Sequence, residues 1–449
     1  MYPSFLLQLF LISIPLLPNT SAESAFVAVT DPVRRANYAL STLQIWYNAG
    51  TGLWDTAGWW NSASAMTMIG NFVKVDPNNA QLRDLATRIF ANTVVQAPAR
   101  NPQPGVEKES LVGRGIAYEN GTLILSNGTR IETGYGKDLD LRTHELHTMY
   151  PEKWDTEDGE YVDIKSLPIY ATAAKDGTQT ALASPPIAED WLDGFYDDDL
   201  WWALAWINAY DITQNIEYLQ LAEGIFMAVT KAWPTRCGNG GIFWSWRNKY
   251  MNAIANELFL STAAHLANRA ENKDFYIDWA ERTLTWFLDT GMLNDDGVIN
   301  DGLTEGCENN GHNIWSYNQG VILGALVELN SAAPNKTYLP LASSIAKAAI
   351  TELSDSNGVI HDACEPDCGI DGTQFKGIFI RNLQMLQQAA PDKTFVETIQ
   401  KNAESVWMNI GSETMGVTFG ADWTSSRGVA NAAAQSSAMD ALVAAIAVQ

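Results

Sequence analysis

Apolar residues recur at helical spacing along nearly the whole chain, and that periodicity is what most restricts the fold. Candidate helices lie at 33–48, 59–74, 79–96, 198–213, 216–233, 250–270, 274–290, 317–330, 337–354, 375–390, 393–410 and 430–447. Many are introduced by Asp, Asn, Ser or Pro, residues that cap or open a helix. Gly-rich or Asn/Asp-rich loops join them. Strand–helix units do not alternate, which argues against a doubly wound sheet. About twelve helices in antiparallel pairs predict an all-α fold, an (α/α)6 barrel with the loops of one end forming a cleft.

Residues 97–192 break this pattern. They are polar and rich in Gly, Pro and Thr, and within them Gly121–Thr133 alternates around Asn127-Gly128, a β-hairpin signal. The region reads as a hairpin-containing insertion between the third and fourth helices, walling the cleft of an otherwise single domain over 23–449. Asn120, Asn127 and Asn335 each open an N-x-T glycosylation sequon.

The first 22 residues carry an apolar run, Phe5–Leu17, broken by Pro15 and followed by the small residues Thr20-Ser21-Ala22. This resembles a secretory signal peptide more than a membrane span. The apolar 441–449 stretch is too short for a lipid-anchor signal. A freely secreted monomer without stable membrane insertion is therefore expected. With 28 Lys+Arg against 52 Asp+Glu, the net charge of −24 argues against nucleic acid or anionic membrane as a partner. Four cysteines, Cys237, Cys307, Cys364 and Cys368, suit two disulfides in a secreted chain. Cys364 and Cys368 are close enough to pair locally, but sequence allows about three connectivities.

Chemistry concentrates where Asp197-Asp198-Asp199 sit between Phe195-Tyr196 and Trp201-Trp202. Carboxylates placed against indole rings are desolvated at a cost. Acid pairs with aromatic faces suit sugar chemistry. Neighbouring residues, with Cα atoms ~3.8 Å apart, can bring carboxyls to the ~5–5.5 Å separation of retaining glycosidases. Asp199 is also explained as a solvated acid at a helix N-terminus.

Other candidates for a sugar cleft are Trp59, Trp60 and Asn61; Gly240, Gly241 and Trp244, where glycine permits close backbone approach; and Asn252 and Asn256, on one helix face. To these are added Asp301, Tyr317, Asn318 and Gln319 at a loop end. Interhelical hydrogen bonding accounts equally well for Asn252 and Asn256, and helix capping for Asn318. Lys376 and Arg381 lie among apolar residues and are expected to meet carboxylates. His144-Glu-Leu-His147 lacks the spacing of a zinc protease, and no metal or other cofactor is expected.

The motifs Trp59-Trp60-Asn61, Tyr196-Asp197-Asp198 with Trp201-Trp202-Ala-Leu-Ala205, Gly240-Gly241-Ile-Phe-Trp244, Lys249–Asn256, Tyr317-Asn-Gln-Gly320 and Phe375-Lys-Gly-Ile-Phe379 follow one another over roughly 40–445. In that order they resemble glycoside hydrolase family 76, the endo-α-1,6-mannanases and their fungal cell-wall relatives. The resemblance implies an (α/α)6 barrel, no metal, and retaining cleavage of α-1,6-mannan. It implies Asp197 as nucleophile and Asp198 as general acid/base. It also brings Trp201, Trp202 and Lys376 to the substrate cleft. Two alternatives stand beside hydrolysis: transglycosylation of cell-wall or GPI-anchor mannan, and mannan binding without catalysis.

Overall fold

A computed structural model describes residues 26–102, 185–246, 248–413, 416–426 and 428–449, with the backbone of short strands between 117 and 163. The signal segment 1–22, His144 and the sequons at Asn120 and Asn127 fall outside the described residues.

Among the described residues, twelve long helices follow one another: α1 Pro32–Leu43, α2 Trp59–Val75, α3 Ala80–Gln96, α4 Tyr196–Thr213, α5 Ile216–Thr230, α6 Ala253–Ala267, α7 Lys273–Asp289, α8 Ser316–Ala332, α9 Tyr338–Leu353, α10 Phe375–Ala389, α11 Lys393–Met408 and α12 Ala432–Ala447. The even-numbered helices pack side by side into a closed ring, with α12 returning to α2. The odd-numbered helices lie outside it, α1 packing on α12. This is the (α/α)6 barrel that the periodicity predicts.

Composition separates the two layers. Outer α11 buries Phe395, Thr398, Ile399, Asn402, Ala403, Val406 and Trp407, a single helical stripe. Inner α12 is buried almost without interruption from Ala432 to Ala444, as a helix enclosed on every side must be. Two motif glycines permit the tight inner ring. A Cβ on Gly320 of α8 would lie 2.6 Å from the Phe379 Cα of α10, and one on Gly377 of α10 2.6 Å from the Ser437 Cα of α12. Both approaches are closer than any larger residue tolerates.

The stretch between α3 and α4 closes at its base: the Asn101 side-chain amide donates to the carbonyls of Asp190 (2.9 Å) and Leu192 (2.8 Å). Its far end is core, not insertion, since Trp191 is buried against Trp59, Trp202 and Trp206. Inside it, Thr122–Ile124 pairs antiparallel with Arg130–Glu132, Leu123 opposite Ile131. The Asn127-Gly128 turn that the sequence suggests lies outside the described residues. Disulfides link Cys237 to Cys307 and Cys364 to Cys368.

Candidate active site

One mouth of the barrel opens into a cleft of about 560 Å³. Its lining comes from the starts of five inner helices: Trp59 and Trp60 of α2, Asp197 and Asp198 of α4, Asn252 capping α6, Tyr317 of α8 and Phe375 of α10. Trp244, Tyr250 and Asp301 close it from the loops, and Asp371 from the short helical turn Gly369–Gly372. Helix N-termini carry partial positive charge, so the fold aims favourable dipoles at the place where the carboxylates gather.

Asp197 and Asp198 occupy the first turn of α4 and are half-buried. The Trp244 indole N–H donates to Asp197 Oδ2 at 2.9 Å, and Oδ1 has no partner. Burial pushes the Asp197 carboxyl up to about 7; the Trp244 bond opposes that rise and the Asp193 charge adds to it. Asp198 stands well above the usual carboxylate range. Burial is the main cause, followed by the charges of Asp193 and Asp197, a hydrogen bond to Asp193, and the charge of Asp199. The two differ in surroundings: Asp197 has an indole donor that favours its charge, and Asp198 stands among acids that favour its proton.

Asp193 did not stand out in the sequence. It is buried, burial lifts its carboxyl to about 6, and hydrogen bonding with Asp198 pulls it back. The only hint was Asp193-Gly194 just before the helix, a common turn pair. Asp199 is not the solvated acid expected. It is fully buried, and its Oδ1 accepts the Asp193 backbone N–H at 2.9 Å. Glu257, also unforeseen, is buried in α6 with neither oxygen partnered; burial and then the Asp301 charge raise its carboxyl well above the usual range. Its signal was an acid beside Asn256 in a run, 253–260, that is otherwise apolar.

Trp60 stacks between Trp201 (5.5 Å, 22°) and Phe375 (6.4 Å, 27°), and its N–H donates to Asp371 at 2.8 Å. Tyr317 stacks on Phe375 at 3.8 Å, and its hydroxyl proton is held firmly by burial and by surrounding acids, Asp197 and Asp301 foremost. The Tyr250 hydroxyl donates to Asp301 Oδ2 at 2.5 Å and accepts from Asn310 at 2.8 Å.

Other candidates lie elsewhere. Trp202 is fully buried with Trp59, Trp191 and Trp206, so it is core. Gly240 and Gly241 do permit a close approach, but to Trp286: a Cβ on either would lie 2.4 or 2.3 Å from its ring. Asn61 is buried and accepts the Gly58 N–H at 3.1 Å, closing the start of α2. Asn256 holds the Ile242 backbone at both N–H (2.8 Å) and carbonyl (2.9 Å). Asn252 is the α6 cap rather than its helical neighbour. Gln319 grips Ile299 in the same two-point way, at 2.9 and 2.7 Å. Asn61, Asn256 and Gln319 fix the backbone around the cleft and do not line it, whereas Asn252 does. Asn318 is fully buried behind Tyr317, its amide unpartnered. Lys376 is buried away from the cleft and ion-pairs with Glu365, while Arg381 pairs with Asp440 at 3.4 Å, as expected for lone cations in this setting. His361, Glu365 and Asp422 have the side chains of a metal site, but the Lys376 ammonium already supplies the positive charge at Glu365.

Comparison with known proteins agrees with this architecture. A family model described as Glycosyl hydrolase family 76 matches residues 149–449. The mannan endo-1,6-alpha-mannosidase DFG5 of Candida albicans is 26% identical over 271 residues, covering 56% of this chain and 60% of that one. DCW1 of the same organism is 28% identical over 252 residues, covering 51% and 55%. The matched region thus spans less than two thirds of these relatives. Among solved structures, an inactive variant of the α-1,6-mannanase GH76A of Salegentibacter sp. HEL1_6, with two adjacent aspartates replaced and α-1,6-mannotetrose bound, has a TM-score of 0.65 at 17% identity, covering 94% of this chain and 100% of that one. Dfg5 from Chaetomium thermophilum, in complex with glucosamine, has a TM-score of 0.63 at 15% identity, covering 94% and 92%. The family model matches well over half of the chain, which establishes that the chain belongs to glycosyl hydrolase family 76.

Proposed function

We propose that this protein is a secreted glycoside hydrolase that cleaves α-1,6-mannosidic linkages within mannan and retains the anomeric configuration. One observation carries the reading: Asp197 and Asp198 open α4 inside an aromatic-walled cleft, one with an indole donor that favours its charge, the other among acids that hold its proton. Asp197 attacks the anomeric carbon while Asp198 gives its proton to the departing oxygen. Water, losing a proton to Asp198, then breaks the Asp197–sugar bond. Trp244 and Tyr317 offer flat faces to pyranose C–H groups, and Tyr250, Asn252 and Asp301 offer polar atoms to its hydroxyls.

The Salegentibacter mannanase supports this assignment, since its inactive form lacks two adjacent aspartates and holds an α-1,6-linked mannose chain. The fungal relatives support the same linkage by name. The apolar leader at 1–22 and the exposed Asn335 sequon favour secretion, with 23–449 as one catalytic domain.

The test is incubation with linear α-1,6-mannan, following reducing ends and product anomers by NMR. Shorter oligosaccharides released first as α-anomers, and lost in Asp197→Asn and Asp198→Asn, are expected. First-formed β-anomers would overturn retention. Longer glycans without new reducing ends would assign transglycosylation instead, and binding without turnover would assign a mannan-binding protein.

A further inference from the structure

We propose that Asp193 is a positioning residue for the acid/base: its carboxylate accepts the proton-bearing hydroxyl of Asp198, fixing where that proton sits and which way the acid faces. The inference rests on the reading of Asp197 and Asp198 as the reacting pair.

Asp193 is held rigidly. Its backbone N–H donates to Asp199 Oδ1 at 2.9 Å, and its own Oδ1 accepts the Phe195 N–H at 2.8 Å. Phe195 is the N-cap of α4, so the loop and the first turn that carries the acid pair form one closed circuit. The circuit is tied to the Trp244 segment as well: the Tyr196 N–H donates to the Trp244 carbonyl at 3.0 Å and the Trp246 N–H to the Gly194 carbonyl at 3.2 Å. Asp193 is only 1% exposed, and among the described residues no N–H donor meets its Oδ2. A buried carboxylate oxygen without a donor is costly. The group that reaches it is the Asp198 carboxyl, and two carboxyls make that contact only when one carries a proton.

The surroundings favour the shared proton. The charged groups acting most strongly on Asp198 are Asp193 from the loop and Asp197 and Asp199 from α4, all acidic. Across the cleft, the Trp244 indole donates to Asp197, and the Asp197 charge bears on the Tyr317 hydroxyl. With like charges on each side, the hydroxyl of Asp198 is kept until the glycosidic oxygen takes its proton. Once Asp198 is ionised, the Asp193 charge beside it makes it a stronger base for the water that follows. Asp193 gives up and gains no proton in either step.

Two measurements test this. In the pH profile of mannan cleavage, Asp193→Asn should move the basic limb at least one unit towards acid, because the amide N–H donates to an ionised Asp198. On the basic limb, with each enzyme scaled to its own optimum, activity then falls about 10-fold below wild type. A uniformly lower kcat with the limb unmoved would make Asp193 a loop clamp only and overturn the proposal. Carboxyl 13C NMR titration of Asp-labelled wild-type protein needs no turnover and no loss-prone variant. With resonances assigned through Asp198→Asn, the Asp193 and Asp198 signals should follow the same two macroscopic steps. Independent titration would overturn the proposal even if mannan is cleaved. Linked titration in a protein that does not cleave mannan would uphold the contact and refute the mannanase reading instead.

Discussion

The indole N–H of Trp244 is the side-chain donor to Asp197, at 2.9 Å, and it acts against a burial effect that lifts that carboxyl to about 7. Trp244→Phe removes the donor and keeps an aromatic face against Phe195, whose ring lies 5.2 Å from that of Trp244. A hydrogen bond to a charged group contributes ~1.5–3 kcal/mol, and ~1.4 kcal/mol corresponds to one unit of pKa. The substitution therefore raises Asp197 by ~1–2 units. The nucleophile must be ionised, so the acid limb of the kcat/KM profile moves to higher pH by the same amount. At pH 6 the rate drops ~10- to 100-fold, while KM changes little because the ring face remains. Initial rates on linear α-1,6-mannan between pH 4 and 9 give both quantities. An unmoved acid limb with a raised KM would refute the argument and leave Trp244 as a sugar platform alone.

Asp199→Asn preserves an oxygen for the Asp193 N–H, so it should retain far more turnover than Asp197→Asn or Asp198→Asn, each of which loses at least ~10²-fold; equal losses in all three would mean the acid pair is misassigned by one residue. Trp202→Ala should cost ~3–5 kcal/mol of stability by emptying core volume, read as a lower thermal midpoint. Thermal stability should also fall as pH rises from 5 to 8. Glu223 is raised to about 7 and Asp362 to about 6, both mainly by burial, so the folded state holds protons the unfolded chain releases. Their stabilising contribution is full below the unfolded values and is lost as pH climbs through the folded ones, up to ~3 kcal/mol each. Calorimetry showing a midpoint that rises over that range would contradict this.

The helices were legible because burial imposes a period on sequence, and the sequence-read bounds of α2, α5 and α11 differ from the observed ones by at most a few residues. The polar motif residues were harder to read, since one residue type serves two ends. A buried amide that grips a backbone and an amide that meets a sugar look alike in a sequence. Asn256 and Gln319 turned out to hold loops at Ile242 and Ile299, and Gly240 and Gly241 to clear Trp286. Asn402 repeats the device, accepting the Ile360 N–H at 2.9 Å, and so does Gln435 with Phe419 at 3.2 Å. The recurrence of one amide-to-loop clamp around the barrel explains why such residues punctuate helix after helix without lining the cleft.

The three aspartates show why adjacency in sequence hides division of labour. An α-helix turns ~100° per residue, so consecutive carboxyls in a first turn cannot share an environment. Asp197 is directed to the Trp244 indole, Asp198 to the Asp193 carboxyl and Asp199 to the Asp193 backbone N–H. The first gains a donor that favours charge, the second a like charge that favours its proton, and the third fixes the loop that supplies that charge. Spacing alone could propose a pair of acids; it could not reveal that the loop before the helix decides which of them stays protonated. A second helix turn inserted before Asp197, or a one-residue shift of the Asp193 loop, would keep every acid in the chain and still destroy the asymmetry between Asp197 and Asp198.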